Sequence, residues 1–270
     1  MIRKAVILSA GKGTRFHPYT KYIAKEMLPI VDMPAAQLII DEIIDSGITD
    51  IAIITNKTKI AANEFYKAYA LEKGISIQLI YQEILNGTGA ATLLAEDFAN
   101  GEAFALLNGD DLIYTGDNIP VTKQLMDYYN GREKDVIGVQ DVGRENISKY
   151  GAIDIVKGDG DGYKIKGIIE KPQPDEAPSY ISSLGRYIIT PKLLEYLKYT
   201  KPGNKGEIVL TDALNMRAKE EGIYAYCFKG RRYDLGNKEG YAEAVTEYVL
   251  RRDETKEKYR EFIIETAKKL

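Results

Sequence analysis

Val6-Ile7-Leu8-Ser9-Ala10-Gly11-Lys12-Gly13-Thr14-Arg15-Phe16 is the stretch on which the fold turns. Its first three residues form an unbroken apolar run of the kind that makes a strand buried on both faces of a parallel sheet. The glycines fall where that strand ends, which is where open α/β sheets bind their ligands. Gly11 and Gly13 let backbone N–H groups approach an anion with no Cβ in the way, and Arg15, Lys21 and Lys25 set cations around the same loop. The chemistry suits a polyphosphate. A dinucleotide fingerprint would need a third small residue where Phe16 stands, and a Walker loop would need Gly-Lys and Ser or Thr after a four-residue gap. Lys12 lies between the glycines instead, so neither of those loops applies.

Working outward, short apolar segments rich in Val and Ile recur at 4–9, 51–55, 75–81, 103–107 and 135–139 and predict strands. Helices are expected between them. The first has Pro34 at an early helical position, an apolar face of Leu38, Ile39 and Ile43, and a stop at Ser46-Gly47. Such alternation predicts an α/β, Rossmann-like, mostly parallel sheet flanked by helices, with a crevice at the strands' carboxyl ends. From about 148 the texture changes. Residues 152–156 and 163–169 flank Gly158-Asp159-Gly160-Asp161-Gly162, which predicts a hairpin with a mobile tip and hence a smaller, β-rich portion. The tip has no distal glutamate at the spacing of a calcium loop, so it reads as a turn. Over 253–270, Tyr259, Phe262, Ile263 and Ala267 at helical spacing predict a terminal amphipathic helix, packed on the body or on a second subunit.

With 270 residues, 44% of them apolar and 29% charged, the chain can bury one sizeable core in one or two closely fused lobes. Cys227, the only cysteine, excludes an internal disulfide and a zinc thiol cluster; a reducing compartment and a core-packing role are expected. No apolar run reaches the roughly 18 residues of a membrane span, and residues 1–8 are too short for a signal peptide's apolar region. A net charge of −3 argues against a nucleic-acid partner. A cytoplasmic protein with small-molecule substrates is the expectation.

The reaction is bounded by what the chain lacks. His17 is the only histidine, so no Ser-His-Asp or Cys-His arrangement is available. Nucleotidyl transfer needs neither, because a phosphate oxygen is already a nucleophile and the task is positioning and charge neutralisation. Magnesium would need oxygen ligands, commonly one or two carboxylates with phosphate oxygens and water. Leu107-Asn108-Gly109-Asp110-Asp111, a strand running into a turn with adjacent acids, and Tyr233-Asp234-Leu235-Gly236 offer them, although Gly-Asp-Asp alone also reads as a surface turn. His17 is expected to pack within its loop, and the tyrosines to be half-buried.

Gly11-Lys12-Gly13-Thr14-Arg15-Phe16-His17-Pro18-Tyr19-Thr20-Lys21, followed by Lys25-Glu26-Met27-Leu28-Pro29-Ile30-Val31-Asp32 and Pro34, resembles the signature of sugar-1-phosphate nucleotidyltransferases. Lys25-Glu26-Met27-Leu28-Pro29 is similar to the form seen in the bacterial UTP–glucose-1-phosphate uridylyltransferases among them. The resemblance continues through Tyr150-Gly151, Glu170-Lys171-Pro172, Ala177-Pro178-Ser179, Gly185-Arg186-Tyr187, Glu207-Ile208-Val209-Leu210-Thr211-Asp212-Ala213, Asp234-Leu235-Gly236-Asn237-Lys238 and Gly240-Tyr241, nearly the whole chain.

That resemblance implies a nucleotidyltransferase domain over 1–252, its nucleotide-binding part about 1–147 and its sugar-phosphate-binding part about 148–252, then the helix over 253–270. It implies formation of UDP-glucose and pyrophosphate from UTP and glucose 1-phosphate, with Mg²⁺ on Asp110 and Asp234. Ala10 and Gly11 would offer backbone to the uracil and Gln82 with Gly87 would complete its reading. Gly13, Thr14 and Glu26 would join the nucleotide site, and Arg15 with Lys25 would hold the UTP phosphates. Gly151, Glu170 and Gly185 would line the glucose, Lys171 would neutralise the sugar phosphate, and Asp111 and Asp234 would lie on that side. Arg15, Lys25, Asp110 and Lys171 would carry the chemistry, in a homo-oligomer, dimer or tetramer.

Ala24 stands where the family commonly has proline, Ala90 where it has histidine, and Tyr180 where it often has asparagine; the 59–82 segment is shorter than usual. A thymidylyltransferase using dTTP and a non-catalytic nucleotide-sugar sensor are the rivals. Arg15, Lys25, Asp110, Lys171 and Asp234 kept together argue against the sensor.

Overall fold

The structure is a computed structural model describing residues 1–116, 119–130, 132–203 and 206–270. β1 (Lys4–Leu8) is the expected first strand, with Ala5 and Val6 fully buried. The loop after it folds as three single 3-10 turns, Thr14–Phe16, Tyr19–Lys21 and Lys25–Met27, and then as a two-residue ribbon of β2 (Pro29–Ile30) and β3 (Met33–Pro34). Within it, Phe16 is the residue that packs, meeting the Tyr241 ring edge-on at 5.7 Å, while His17 is exposed rather than packed into the loop, contrary to expectation.

α1 (Ala35–Asp45) follows. Pro34 is the residue before it rather than part of it: its ring accepts the extended backbone (φ −60°, ψ 140°) that pairs it with Pro29 across the ribbon. Ala35, Ala36, Ile39, Ile40 and Ile43 make the buried face, and Leu38 is only half-buried. The helix stops as expected at Ser46, with Gly47 at φ 85°.

The chain continues through β4 (Asp50–Thr55), α2 (Ile60–Lys73), β5 (Ser76–Tyr81), α3 (Thr88–Leu93), α4 (Glu96–Ala99), β6 (Phe104–Asn108), β7 (Asp111–Tyr114), α5 (Val121–Tyr129) and β8 (Val136–Asp141). The expected hairpin is β9 (Gly151–Asp159) and β10 (Gly162–Glu170), with Gly160 at φ 61° in its turn. Then come β11 (Ile181–Ile189), α6 (Pro191–Tyr199), α7 (Leu210–Glu221), β12 (Ile223–Cys227), β13 (Arg231–Asp234), α8 (Lys238–Arg251) and α9 (Lys256–Ala267).

One sheet has the order β5-β4-β1-β6-β11-β8-β12-β10-β9, and it crosses the expected boundary near residue 147 without a break. Its strands run mostly parallel; only β11 and β10 oppose the rest. The chain winds outward from β1 through β4 to β5, then returns to the other side of β1 with β6. A reversal of that kind opens a crevice beyond the carboxyl ends of the two strands. Helices cover both faces. α3, α6 and α7 pack on one with Leu193, Leu210 and Leu214; α1, α2 and α5 pack on the other with Ile39, Ile43, Tyr66 and Leu125. A fully buried isoleucine such as Ile39 or Ile43 contributes about 1.5–3 kcal/mol. Cys227 is half-buried against the first core.

A separate ribbon of β7 and β13, held to α8 by Leu112, Tyr233, Leu235 and Ala244, lies off the main sheet. It pairs Asp111 with Asp234. α9 forms as expected but buries no residue, and its Tyr259 and Phe262 rings stack on each other at 5.9 Å.

Candidate active site

The ends of β1 and β6 and the loop after β5 enclose a cleft of about 660 Å³ lined by Leu8, Ala10, Gly11, Lys12, Lys25, Gln82, Leu85, Gly87, Asn108, Asp110, Glu207 and Val209. Its size suits a nucleotide. Gln82 is buried, and its Nε2 donates to the Gly87 carbonyl at 3.3 Å. Residues 86–89 are clasped from behind, Gly89 N donating to Ile208 O (2.8 Å) and Ile208 N to Asn86 O (2.7 Å). The carboxamide therefore sits in a firmly tethered wall and carries both an amide donor and an amide acceptor.

On the opposite wall Thr20 Oγ1 donates to Gly13 O at 2.7 Å, closing the phosphate loop on itself. The Lys25 ammonium bonds the Asp110 carboxylate. Burial works against an ionised Asp110, but Lys25, with Arg15 and Arg232 beyond it, holds that carboxyl below its usual range. Asp234 Oδ1 accepts from Gly236 N at 2.7 Å. A methyl placed on Gly236 would lie 2.7 Å from Asp234 Oδ1, 3.1 Å from Asp110 Oδ2 and 2.5 Å from Arg15 Nη2. Two carboxylates and a guanidinium thus converge closely around Gly236, with no room for a side chain there.

Beyond that point a second cleft of about 640 Å³ is lined by Arg15, Gln140, Lys149, Tyr150, Leu184, Arg232, Asp234 and Asn237. Glu170 and Lys171 close the end of β10 as an exposed pair (3.8 Å), outside the lining of either cleft. Lys171 N donates to the carbonyl of Tyr150 at 3.0 Å, and its φ of 45° is uncommon for a lysine. That conformation keeps it tethered to the rim. Gly151 opens β9 beside Glu170, with 3.3 Å between a built Cβ and Glu170 Oε2.

Two expectations need correction. Asp111 does not face either cleft: it is 3% exposed and its carboxylate accepts from Asn108 Nδ2 (3.0 Å) and Arg232 Nε (2.6 Å). Asp110 ends the turn before β7 and meets Lys25, whereas Asp111 opens β7 and is drawn inward to Arg232, so different partners separate the two carboxylates. Glu26 is likewise turned inward, 2% exposed, with both oxygens on Lys59 Nζ at 2.9 and 3.0 Å. Thr14 faces a third hollow, of about 760 Å³, shared with Lys21 and Lys59.

Reading by motif passed over Arg232 and Lys59. Arg232 lies between Asp111 and Asp234 with its guanidinium 5.4 Å from the Tyr150 ring centre. Burial opposes its charge, but Asp111, Asp234 and Tyr150 outweigh burial and raise its pKa. Burial lowers that of Lys59, against the pull of Glu26. The one available signal for Lys59 was its place at the carboxyl end of β4, on the crevice side.

Among the described residues no cluster of three or more His, Cys, Asp or Glu could hold a metal. The pair Asp110 and Asp234 fits an ion that takes one or two carboxylates and draws its remaining ligands from phosphate and water, as Mg²⁺ does.

A phosphate loop at a strand reversal, opposed carboxylates and two adjoining clefts define a nucleotidyltransferase, and the profile of the nucleotidyl transferase family matches residues 4–250: the chain belongs to that family. It is 39% identical to the UTP–glucose-1-phosphate uridylyltransferase of Streptococcus pneumoniae serotype 4, over 100% of this chain and 97% of that one. A crystal structure of a UDP-glucose pyrophosphorylase complexed with UDP-glucose superposes with a TM-score of 0.87 at 39% identity, covering 93% of this chain and 100% of that one. A UTP-bound UGPase from Acinetobacter baumannii gives 0.87 at 30% identity, over 98% and 99%.

Proposed function

We propose that this chain transfers the uridylyl group of UTP to α-D-glucose 1-phosphate, giving UDP-glucose and pyrophosphate. The convergence of Asp110, Asp234 and Arg15 around Gly236, between the Gln82 cleft and the Tyr150–Arg232 cleft, carries the reading. UTP occupies the first cleft, its uracil against Ala10, Gly11, Gln82 and Gly87, and its phosphates run along Gly13, Arg15 and Lys25. Glucose 1-phosphate occupies the second, past a rim formed by Gly151, Glu170 and Lys171, with its hydroxyls toward Gly151, Glu170 and the Leu184–Gly185 backbone and its phosphate toward Lys171.

A sugar-phosphate oxygen attacks the UTP α-phosphorus in line; that P–O bond forms as the bond to the β-phosphate breaks, and pyrophosphate leaves. No base is required, because the attacking oxygen is already ionised. Arg15 and Lys25 neutralise the triphosphate, and Lys171 offsets repulsion between the two anions. Asp110 and Asp234 would hold Mg²⁺, which when bound would supply further charge neutralisation at the reacting phosphates. UTP is preferred over dTTP: Lys25-Glu26-Met27-Leu28-Pro29, Gly109-Asp110-Asp111 and the named activity of the 39% identical relative all favour uridylyl transfer. Residues 1–147 serve the nucleotide and 148–252 the sugar phosphate, in a cytoplasmic homo-oligomer, dimer or tetramer.

The test is pyrophosphate release from purified protein with Mg²⁺, each nucleoside triphosphate in turn and a panel of sugar 1-phosphates. UTP with glucose 1-phosphate is expected to be fastest. A faster reaction with dTTP would move the chain to thymidylyl transfer, and silence with every pair would make it a sensor.

A further inference from the structure

Lys59 has no part in the transfer described above, yet three segments of the site meet at its ammonium. It is the residue before α2, at the carboxyl end of β4. Its Nζ donates to both carboxylate oxygens of Glu26, at 2.9 and 3.0 Å, and to the carbonyl of Ser9 at 2.5 Å. Lys59 and Glu26 are 10% and 2% exposed, so water takes little part in the arrangement. Ser9 is the first residue of the phosphate loop; its N–H is fixed to Ile54 O at 2.8 Å and its hydroxyl lies 3.2 Å from the Tyr66 hydroxyl. Glu26 directly follows Lys25.

The turn that carries Lys25 is a single 3-10 turn, Lys25–Met27, too short to be rigid by itself. Its buried anchor is Glu26. A buried ion pair is weak evidence for stability, since apolar residues of the same volume often serve as well. Charge neutralisation of Glu26 also does not require the third bond, to Ser9 O. That bond joins the turn to the head of the phosphate loop, so the two pieces that would hold UTP keep one relative placement. Lys25 is a flexible four-carbon side chain whose usefulness depends on where its backbone sits.

We infer that Lys59 is a positioning residue for nucleotidyl transfer, holding the Glu26 carboxylate against the Ser9 carbonyl so that Lys25 and the phosphate loop meet the triphosphate in one fixed geometry. The inference rests on the proposed transfer reaction. A misplacement near 1 Å of a group that orients a reacting phosphate is enough to cost about 10²-fold in rate.

The experiment compares wild type, Lys59→Met and Glu26→Gln/Lys59→Met by steady-state kinetics with Mg²⁺, UTP and glucose 1-phosphate, by urea unfolding, and by calorimetry with inorganic pyrophosphate. Lys59→Met leaves a buried carboxylate unpaired and lowers stability and turnover together. The double variant removes both charges and recovers the wild-type unfolding midpoint, while its kcat stays down by about 10²-fold. Its pyrophosphate affinity falls, and its KM for glucose 1-phosphate stays within about 2-fold of wild type because the loss is confined to the triphosphate side. A double variant with wild-type kcat would show that Lys59 only neutralises Glu26 and would overturn the inference. Wild type silent with UTP and glucose 1-phosphate would defeat the transfer reading instead. The pyrophosphate titration still judges the tether in that case, and equal affinity in wild type and double variant overturns it.

Discussion

Replacing Gly185 with alanine tests the packing beneath the site. Gly185 lies in β11 at φ 71°, and a Cβ there would stand 2.1 Å from Asp111 Oδ2, 2.8 Å from Asp111 Cγ and 2.9 Å from Asn108 Nδ2. The carboxylate has to retreat by more than an ångström. It cannot do so and keep its bonds to Asn108 (3.0 Å) and Arg232 Nε (2.6 Å), both made below the surface. The left-handed backbone costs an alanine about 1–2 kcal/mol. Losing one charged hydrogen bond adds about 1.5–3 kcal/mol. The sum, about 2.5–5 kcal/mol, moves a urea midpoint down by about 1–2.5 M at a slope of 2–3 kcal/mol/M. Urea unfolding followed by circular dichroism reads this directly. A loss under about 1 kcal/mol, an ordinary surface-substitution value, would mean that Asp111 is not wedged as described and that Arg232 is not held by it.

Asp110→Asn should cut kcat by about 10²-fold or more while the protein still folds, with some loss of thermal midpoint because Lys25 loses its ion-pair partner; near-normal turnover at saturating Mg²⁺ would remove it from the metal site. Lys171→Ala should raise KM for glucose 1-phosphate by about 10–150-fold, the worth of one charged hydrogen bond, with little change for UTP. The reverse split in calorimetry would transfer that role to Arg232. Gln82→Ala should lower kcat/KM for UTP and dTTP alike, because both bases present the same imide edge. Wild type should favour UTP by about 10–200-fold, the discrimination that one methyl group allows, and a dTTP preference would contradict the base assignment.

The first half of the sheet was legible because its signals are local. An apolar run followed by glycines, as at Val6 to Gly13, needs no distant partner to be read, and the strands at 4–9, 51–55, 75–81, 103–107 and 135–139 all formed within a residue or two of expectation. β7, β11, β12 and β13 were not anticipated. β7 and β13 are four residues each; β7 is too short to stand out despite Leu112-Ile113-Tyr114, β13 reads Arg-Arg-Tyr-Asp with nothing that announces a strand, and their mutual pairing makes the ribbon. The same limit applies at the site. Sequence can place acids at 26, 110 and 111 near the crevice, but which of them turns inward is decided by partners elsewhere in the chain, Lys59 for Glu26 and Arg232 for Asp111.

The β7–β13 ribbon also orders events in time. It brings together positions 121 residues apart, of which Asp111 and Arg232 are the bonded pair, whereas the crevice between β1 and β6 has all its lining once residues 207–209 have joined it. Contacts of such long sequence separation are entropically slow to close, and a chain leaving the ribosome exposes its N-terminal part first. The growing polypeptide therefore carries the full lining of that crevice before β13 exists to bring Asp234 to Asp110. A chain cut between residue 209 and β13 has the whole lining of that crevice in its sequence and lacks Asp234, the second carboxylate of the proposed metal pair.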